Sequence, residues 1–117
     1  MFRRLLSRDR ITPDALHRRI QEHQPVTIID VNSHESWSQA HVPGAAHLDP
    51  TVYAPSELPA DKDTALVFYC SNMMCRKAPN AAGRARKMGY RNVQVMSTGI
   101  RGWLAAELPT EAGRGTT

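Results

Sequence analysis

The chain has 117 residues, 41% of them hydrophobic and 22% charged, with a formal net charge of +4 and a pI near 9.5. That size suits one compact domain with a single core. Nowhere does an apolar run approach the roughly 20 residues of a membrane-spanning helix, so stable membrane insertion is not expected, and two cysteines do not make a disulfide scaffold.

Residues 1–10 form a basic segment, with Arg3, Arg4, Arg8 and Arg10. It lacks the apolar stretch of about 7–15 residues that marks an export signal, so the expected location is the cytoplasm. Thr12-Pro13-Asp14 reads as a helix start: a capping hydroxyl, a proline in the first turn and an early carboxylate. Ala15, Leu16 and Ile20 continue that helix to about Glu22, and Gln24-Pro25 breaks it. Val26 to Val31 is β-branched and nearly all apolar, which predicts a buried strand. Asn32-Ser33 can cap a short helix over His34 to Ala40. His41-Val42-Pro43-Gly44 is a turn, and Ala45 to Leu48 a short strand. Asp49 to Thr64, with Pro50, Pro55 and Pro59, is a surface connection with one helical turn. Ala65 to Tyr69 is a second buried strand. Ala78, Ala81, Ala82, Ala85 and Met88 recur at helical spacing, so Lys77 to Met88 should lay a small-residue face on the sheet. Gly89 ends that helix. Asn92 to Met96 is a third strong strand, Ile100 to about Glu107 a last helix, and Ala112 to Thr117 a disordered end. The alternation predicts an α/β layer fold with a mainly parallel sheet. The expected domain runs from residue 11 to 109, with residues 110–117 as a tail.

Seven of the 15 basic residues lie between Arg76 and Arg101. Aromatic residues make up only 6%, and no nucleic-acid-binding pattern is present. Attraction of a small anion explains the cluster better. The five histidines, at 17, 23, 34, 41 and 47, form no zinc-ligand unit with the two cysteines. No metal and no cofactor are expected.

The segment from Val67 to Lys77 carries the chemistry. A β-prone run ends in Cys70, a polar loop follows, and then a helix begins. This order sets a thiol at the carboxyl end of a buried strand, opposite the unpaired N–H groups of a helix start. Such groups stabilise anions, and a thiolate is an anion. The bland alternative is an inert cysteine buried at a strand end.

Several stretches, in order, resemble the rhodanese homology domain. They are Ile29-Asp30-Val31; Glu35 and Trp37 with His41-Val42-Pro43-Gly44-Ala45; Tyr69-Cys70; Gly89-Tyr90-Arg91-Asn92-Val93; and Gly99-Ile100-Arg101-Gly102-Trp103 with Leu108-Pro109. Together they span about residues 12 to 109. The resemblance implies a three-layer fold, a central mainly parallel sheet flanked by helices. It also implies a catalytic Cys70 that takes sulfane sulfur from an anionic donor such as thiosulfate, becomes a persulfide, and passes the sulfur to cyanide, a thiol or a protein acceptor. The loop Ser71, Asn72, Met73, Met74, Cys75 and Arg76 would bind the substrate, its N–H groups holding the persulfide and the donor oxygens. Arg76 suits oxyanion recognition, and Lys77 and Arg101 are weaker candidates beside it. The sequence departs from the family pattern at Asn32, where arginine is common, at Thr98, where a glycine is common, and in the longer, glycine-free loop.

Cys75 has two readings: a small apolar filler, or, if it faces Cys70, a partner that resolves a persulfide or sulfenic acid by forming a disulfide. Met73 and Met74 read as packing or an apolar rim rather than as soft-metal ligands. Trp37, Trp103, Tyr69 and His41 read as structural, and Asp30 as a carboxylate bonding nearby backbone. Two other functions stay open. Cys70-x5-Arg76 has the spacing of a cysteine phosphatase or arsenate reductase loop, though without a following Ser or Thr. A non-catalytic partner-binding module is the third reading.

Overall fold

The continuous apolar run Leu66–Tyr69 forms the strand β3, buried along its whole length. Such a strand needs neighbours on both edges and cover on both faces. The computed structural model, which describes residues 9–113, supplies them. In chain order the elements are α1 (Pro13–Gln21), β1 (Thr27–Asp30), α2 (His34–Gln39), β2 (Ala46–His47), a 3-10 turn (Pro55–Glu57), β3, α3 (Lys77–Lys87), β4 (Val93–Val95) and α4 (Gly99–Ala105). The sheet order is β2-β1-β3-β4, and every pair is parallel. Ile29 stands beside Phe68, and Phe68 beside Val95.

Successive strand residues point to opposite faces, and they feed two cores. Ile29, Leu66 and Phe68 pack with Ala78, Ala81, Ala82 and Ala85 of α3 and with Tyr53, Leu58 and Tyr90. Ile28, Val67 and Tyr69 pack with Leu16 of α1, Trp103 of α4, Met96 and Val42. The result is three layers: α3 on one side, the sheet, and α1 with α4 on the other. Burying a side chain such as Phe68 or Leu66 contributes about 1.5–3 kcal/mol, and both are fully buried.

Local chemistry sets the boundaries. The Thr12 hydroxyl accepts the Ala15 N–H at 3.1 Å, and Ser33 caps α2 by accepting from Ser36 at 3.1 Å. Gly89 closes α3 at φ +103°, a conformation glycine adopts without strain. Most predicted elements lie within a residue or two of those observed, where helix and strand ends fray.

The structural residues have the expected work. Trp103 is fully buried, and its indole N–H donates to the Pro109 carbonyl at 2.7 Å. The His41 ring is 2.7 Å from the Trp37 carbonyl and stacks on the Trp37 ring. One detail differs from expectation. Part of the segment read as a disordered tail is held against the domain. Glu111 and His41 exchange backbone hydrogen bonds of 2.9 Å, the Glu111 carboxylate accepts the Gly44 N–H at 3.0 Å, and the Gly113 N–H donates to the Ser38 carbonyl. The polar composition of that segment hides this anchor, because the partners are a distant turn. Residues 1–8 of the basic segment and 114–117 of the tail lie outside the described residues. Among the described residues, no helix is long and apolar enough to cross a membrane, and no cluster of three or more metal-ligating side chains occurs.

Candidate active site

Cys70 follows β3 directly and is 2% exposed. Its carbonyl accepts the Ile100 N–H at 2.9 Å, and the Ser71 carbonyl accepts the Arg101 N–H at 3.0 Å. The opening of the loop is thereby fastened to the first turn of α4. This approach requires Gly99. It has φ +66°, and a Cβ there would lie 2.5 Å from the Cys70 carbonyl oxygen, inside any permitted contact.

A second fastening comes from β1. The Ser71 hydroxyl donates to Asn32 Oδ1 at 2.7 Å, and the Asn32 N–H donates to Asp30 Oδ1 at 2.8 Å. Asp30 is fully buried, and burial raises its carboxyl pKa against the lowering effect of the Asn32 and Tyr69 hydrogen bonds. Burial also pushes the Tyr69 hydroxyl far up, with the neighbouring Asp30 charge adding to it. That hydroxyl accepts the Val42 N–H at 3.0 Å. Asp30 thus bonds nearby backbone, as its position at a strand end suggests. Asn32, noted in the sequence as part of a helix cap and as a departure from the family pattern, is the link between that carboxylate and the loop.

The rest of the loop turns on Asn72. Its side-chain oxygen accepts the Met74 N–H at 2.9 Å, and its carbonyl accepts the Cys75 N–H at 3.2 Å. Two of the N–H groups expected to face a bound anion are therefore directed to Asn72. Met73 and Met74 are 71% and 86% exposed, while Cys75 is half-buried and packs against the α3-side core. The turn brings Cys75 back over Cys70. Their Cα atoms are 6.5 Å apart and their sulfurs are joined as a disulfide. Neither sulfur titrates in this state, so the expected thiolate belongs to the reduced protein.

Two cavities meet at Cys75, and the smaller of them also reaches Cys70. A small one, about 30 Å³, is lined by Cys70, Met73, Cys75, Ala78, Pro79 and Met96, among others. A larger one, about 350 Å³, opens beside it and shares Met73, Cys75, Pro79, Val95 and Ser97. Its wall adds Arg76, Arg10 and Arg86, with Asp9 3.7 Å from Arg86. Arg76 is therefore beside the site, as its place in the loop suggests. Arg101 is not part of this wall, and its described link to the loop is its backbone N–H. Lys77 faces a separate cavity of about 340 Å³ with Asn32, His34, His47 and Asp49. Sequence reasoning did not single out Arg10 or Arg86. Arg10 arrives through a parallel bridge to Val95 that no local pattern announces.

The rhodanese-like domain family matches residues 12–106. The chain belongs to this family. It is 37% identical over 107 residues to the HTH-type transcriptional regulator Rv0324 of Mycobacterium tuberculosis, covering 90% of this chain and 46% of that protein. The chain thus spans less than half of that relative. It is 30% identical over 101 residues to the thiosulfate sulfurtransferase GlpE of Haemophilus influenzae, covering 86% of this chain and 92% of the relative. Among solved structures, the BH2092 protein from Bacillus halodurans superposes with a TM-score of 0.82 at 19% identity, over 95% of this chain and 83% of that one. That likeness concerns the fold. For a rhodanese-like domain, the three-layer arrangement, the parallel sheet and the strand-end position of Cys70 agree with what the resemblance implies.

Proposed function

We propose that this protein is a cytoplasmic sulfurtransferase that moves sulfane sulfur from a small anionic donor such as thiosulfate to a thiophilic acceptor through a Cys70 persulfide. The observation that carries this reading is the position of Cys70. It sits at the end of the central strand, beside a cavity with three arginines in its wall. The resemblance to a thiosulfate sulfurtransferase along nearly the whole of that relative supports it.

The chemistry begins from the reduced protein. The Cys70 thiolate attacks the outer sulfur of thiosulfate, the donor's S–S bond breaks, and sulfite leaves with the bonding electron pair. Arg76, Arg10 and Arg86 attract the dianion and stabilise the negative charge that builds on the leaving sulfite. Guanidinium groups suit this because they stay charged at any working pH. Cyanide or a thiolate, free or on a protein, then attacks the outer persulfide sulfur and restores the Cys70 thiolate. No cofactor, metal, nucleic acid or membrane partner enters these steps.

The test uses reduced protein with thiosulfate and cyanide. Thiocyanate should form with the wild type, and Cys70→Ser should abolish it. Absence of thiocyanate, with phosphate released from an aryl phosphate, would instead assign the Cys70-x5-Arg76 loop to a hydrolase. Absence of both products would favour a partner-binding module, the arrangement a regulator relative brings to mind.

A further inference from the structure

We infer that Cys75 is an internal acceptor for the Cys70 persulfide, so that the protein releases the donor's sulfur as hydrosulfide and closes its own disulfide. This rests on the sulfur-transfer reading and adds a product to it.

The loop builds this encounter by its own hydrogen bonds. The Asn72 turn folds Cys75 back, through the Met74 and Cys75 N–H groups, onto a Cys70 that α4 and Gly99 hold in place. The Cα separation of 6.5 Å lies in the range that a disulfide spans. Cys75 also lines both cavities, whereas Cys70 lines only the small one. The second thiol therefore stands between the arginine-walled cavity and the first. The small cavity, about 30 Å³, has room for one small group beside the pair.

The step balances without an added oxidant. After thiosulfate has loaded Cys70 and sulfite has left, the Cys75 thiolate attacks the inner, Cys70 sulfur. The Cys70–Cys75 bond forms, the bond to the outer sulfur breaks, and that sulfur departs with the electron pair as hydrosulfide. The two thiols lose two electrons and the sulfane sulfur gains them. Per cycle, one thiosulfate and two protein thiols give one sulfite, one hydrosulfide and one disulfide. A dithiol reductant resets the protein. Exchange proceeds at the sulfur that can be reached, and Cys75 is the more exposed of the two. Attack there expels Cys70 as the thiolate that the next donor needs, and the second thiol of the reductant frees Cys75. An external acceptor such as cyanide competes with Cys75 for the same persulfide.

The test is a single turnover without oxygen or added thiol. Full-length protein is reduced with a phosphine, desalted and mixed with equimolar thiosulfate. Sulfite and sulfide are measured, and intact mass is recorded. The wild type should release sulfite and sulfide in equal amounts and end lighter than the reduced protein by two hydrogens. Cys75→Ser should keep the added sulfur on the protein and release sulfide only after a dithiol such as dithiothreitol is supplied. Sulfite from the wild type with the extra sulfur retained and no sulfide would overturn the role of Cys75 and leave sulfur transfer standing. Equal sulfide from wild type and Cys75→Ser would overturn it as well. No sulfite from the wild type would overturn both readings.

Discussion

The two halves of the loop after β3 are built on different terms. The first half, Cys70 and Ser71, is bonded to α4 through both carbonyls and to β1 through Asn32. The second half, Met73 to Cys75, takes its described hydrogen bonds from Asn72, carries two exposed methionines and meets the core only through Cys75. A nucleophile needs a fixed position relative to its substrate. A group that must approach, react and be released needs a segment with few outside ties. The contrast assigns the fixed half to Cys70 and the adaptable half to Cys75.

The contrast can be broken from the fixed side first. Gly99→Ala forces a Cβ onto the Cys70 carbonyl at a positive φ. It should cost about 3 kcal/mol of stability, read from urea unfolding, and should displace the loop enough to remove most transfer activity. A variant as stable and active as the wild type would show that α4 does not hold the loop. Next comes Asn32→Ala, which leaves the Ser71 hydroxyl without its acceptor. A loss of about 1–2 kcal/mol is expected, with a lower kcat for thiosulfate as Cys70 loses its tether. The cavity wall should respond more gently. Arg76→Gln should raise the KM for thiosulfate by roughly fivefold, equivalent to about 1 kcal/mol, with an effect that fades as salt is added. An unchanged KM would move donor binding away from this arginine. Met74→Ser, on the exposed tip, should alter stability by no more than about 0.5 kcal/mol. A large loss there would mean that the second half is as rigid as the first.

Much of this architecture is legible in the chain because local chemistry decides it. Leu66–Tyr69 is too apolar for any place but the middle of a sheet, Thr12 and Ser33 are the caps they resemble, and Gly89 sits where a left-handed residue is needed. The alanine stripe of α3 lies flat on the sheet, as its spacing requires. Cys70 could be placed at a strand end for the same reason. What could not be read depends on pairs far apart in the chain. Arg10 joins the cavity through its pairing with Val95, and Glu111 is held by His41 and Gly44. The closure of Cys75 onto Cys70 falls between these cases. The spacing allowed it, but a glycine-free loop of this length has no sequence signature for its path. Asn72, which draws that path, looks in the sequence like any other polar loop residue.

The bridge between Arg10 and Val95 has a practical bearing on how the protein is handled. Asp9 and Arg10 form part of the large cavity's wall, so removing them would take one arginine and a neighbouring carboxylate out of that wall. A shortened chain that begins at Ile11 should therefore lose part of its attraction for the donor, while the strand ladder from β1 to β4 stays intact.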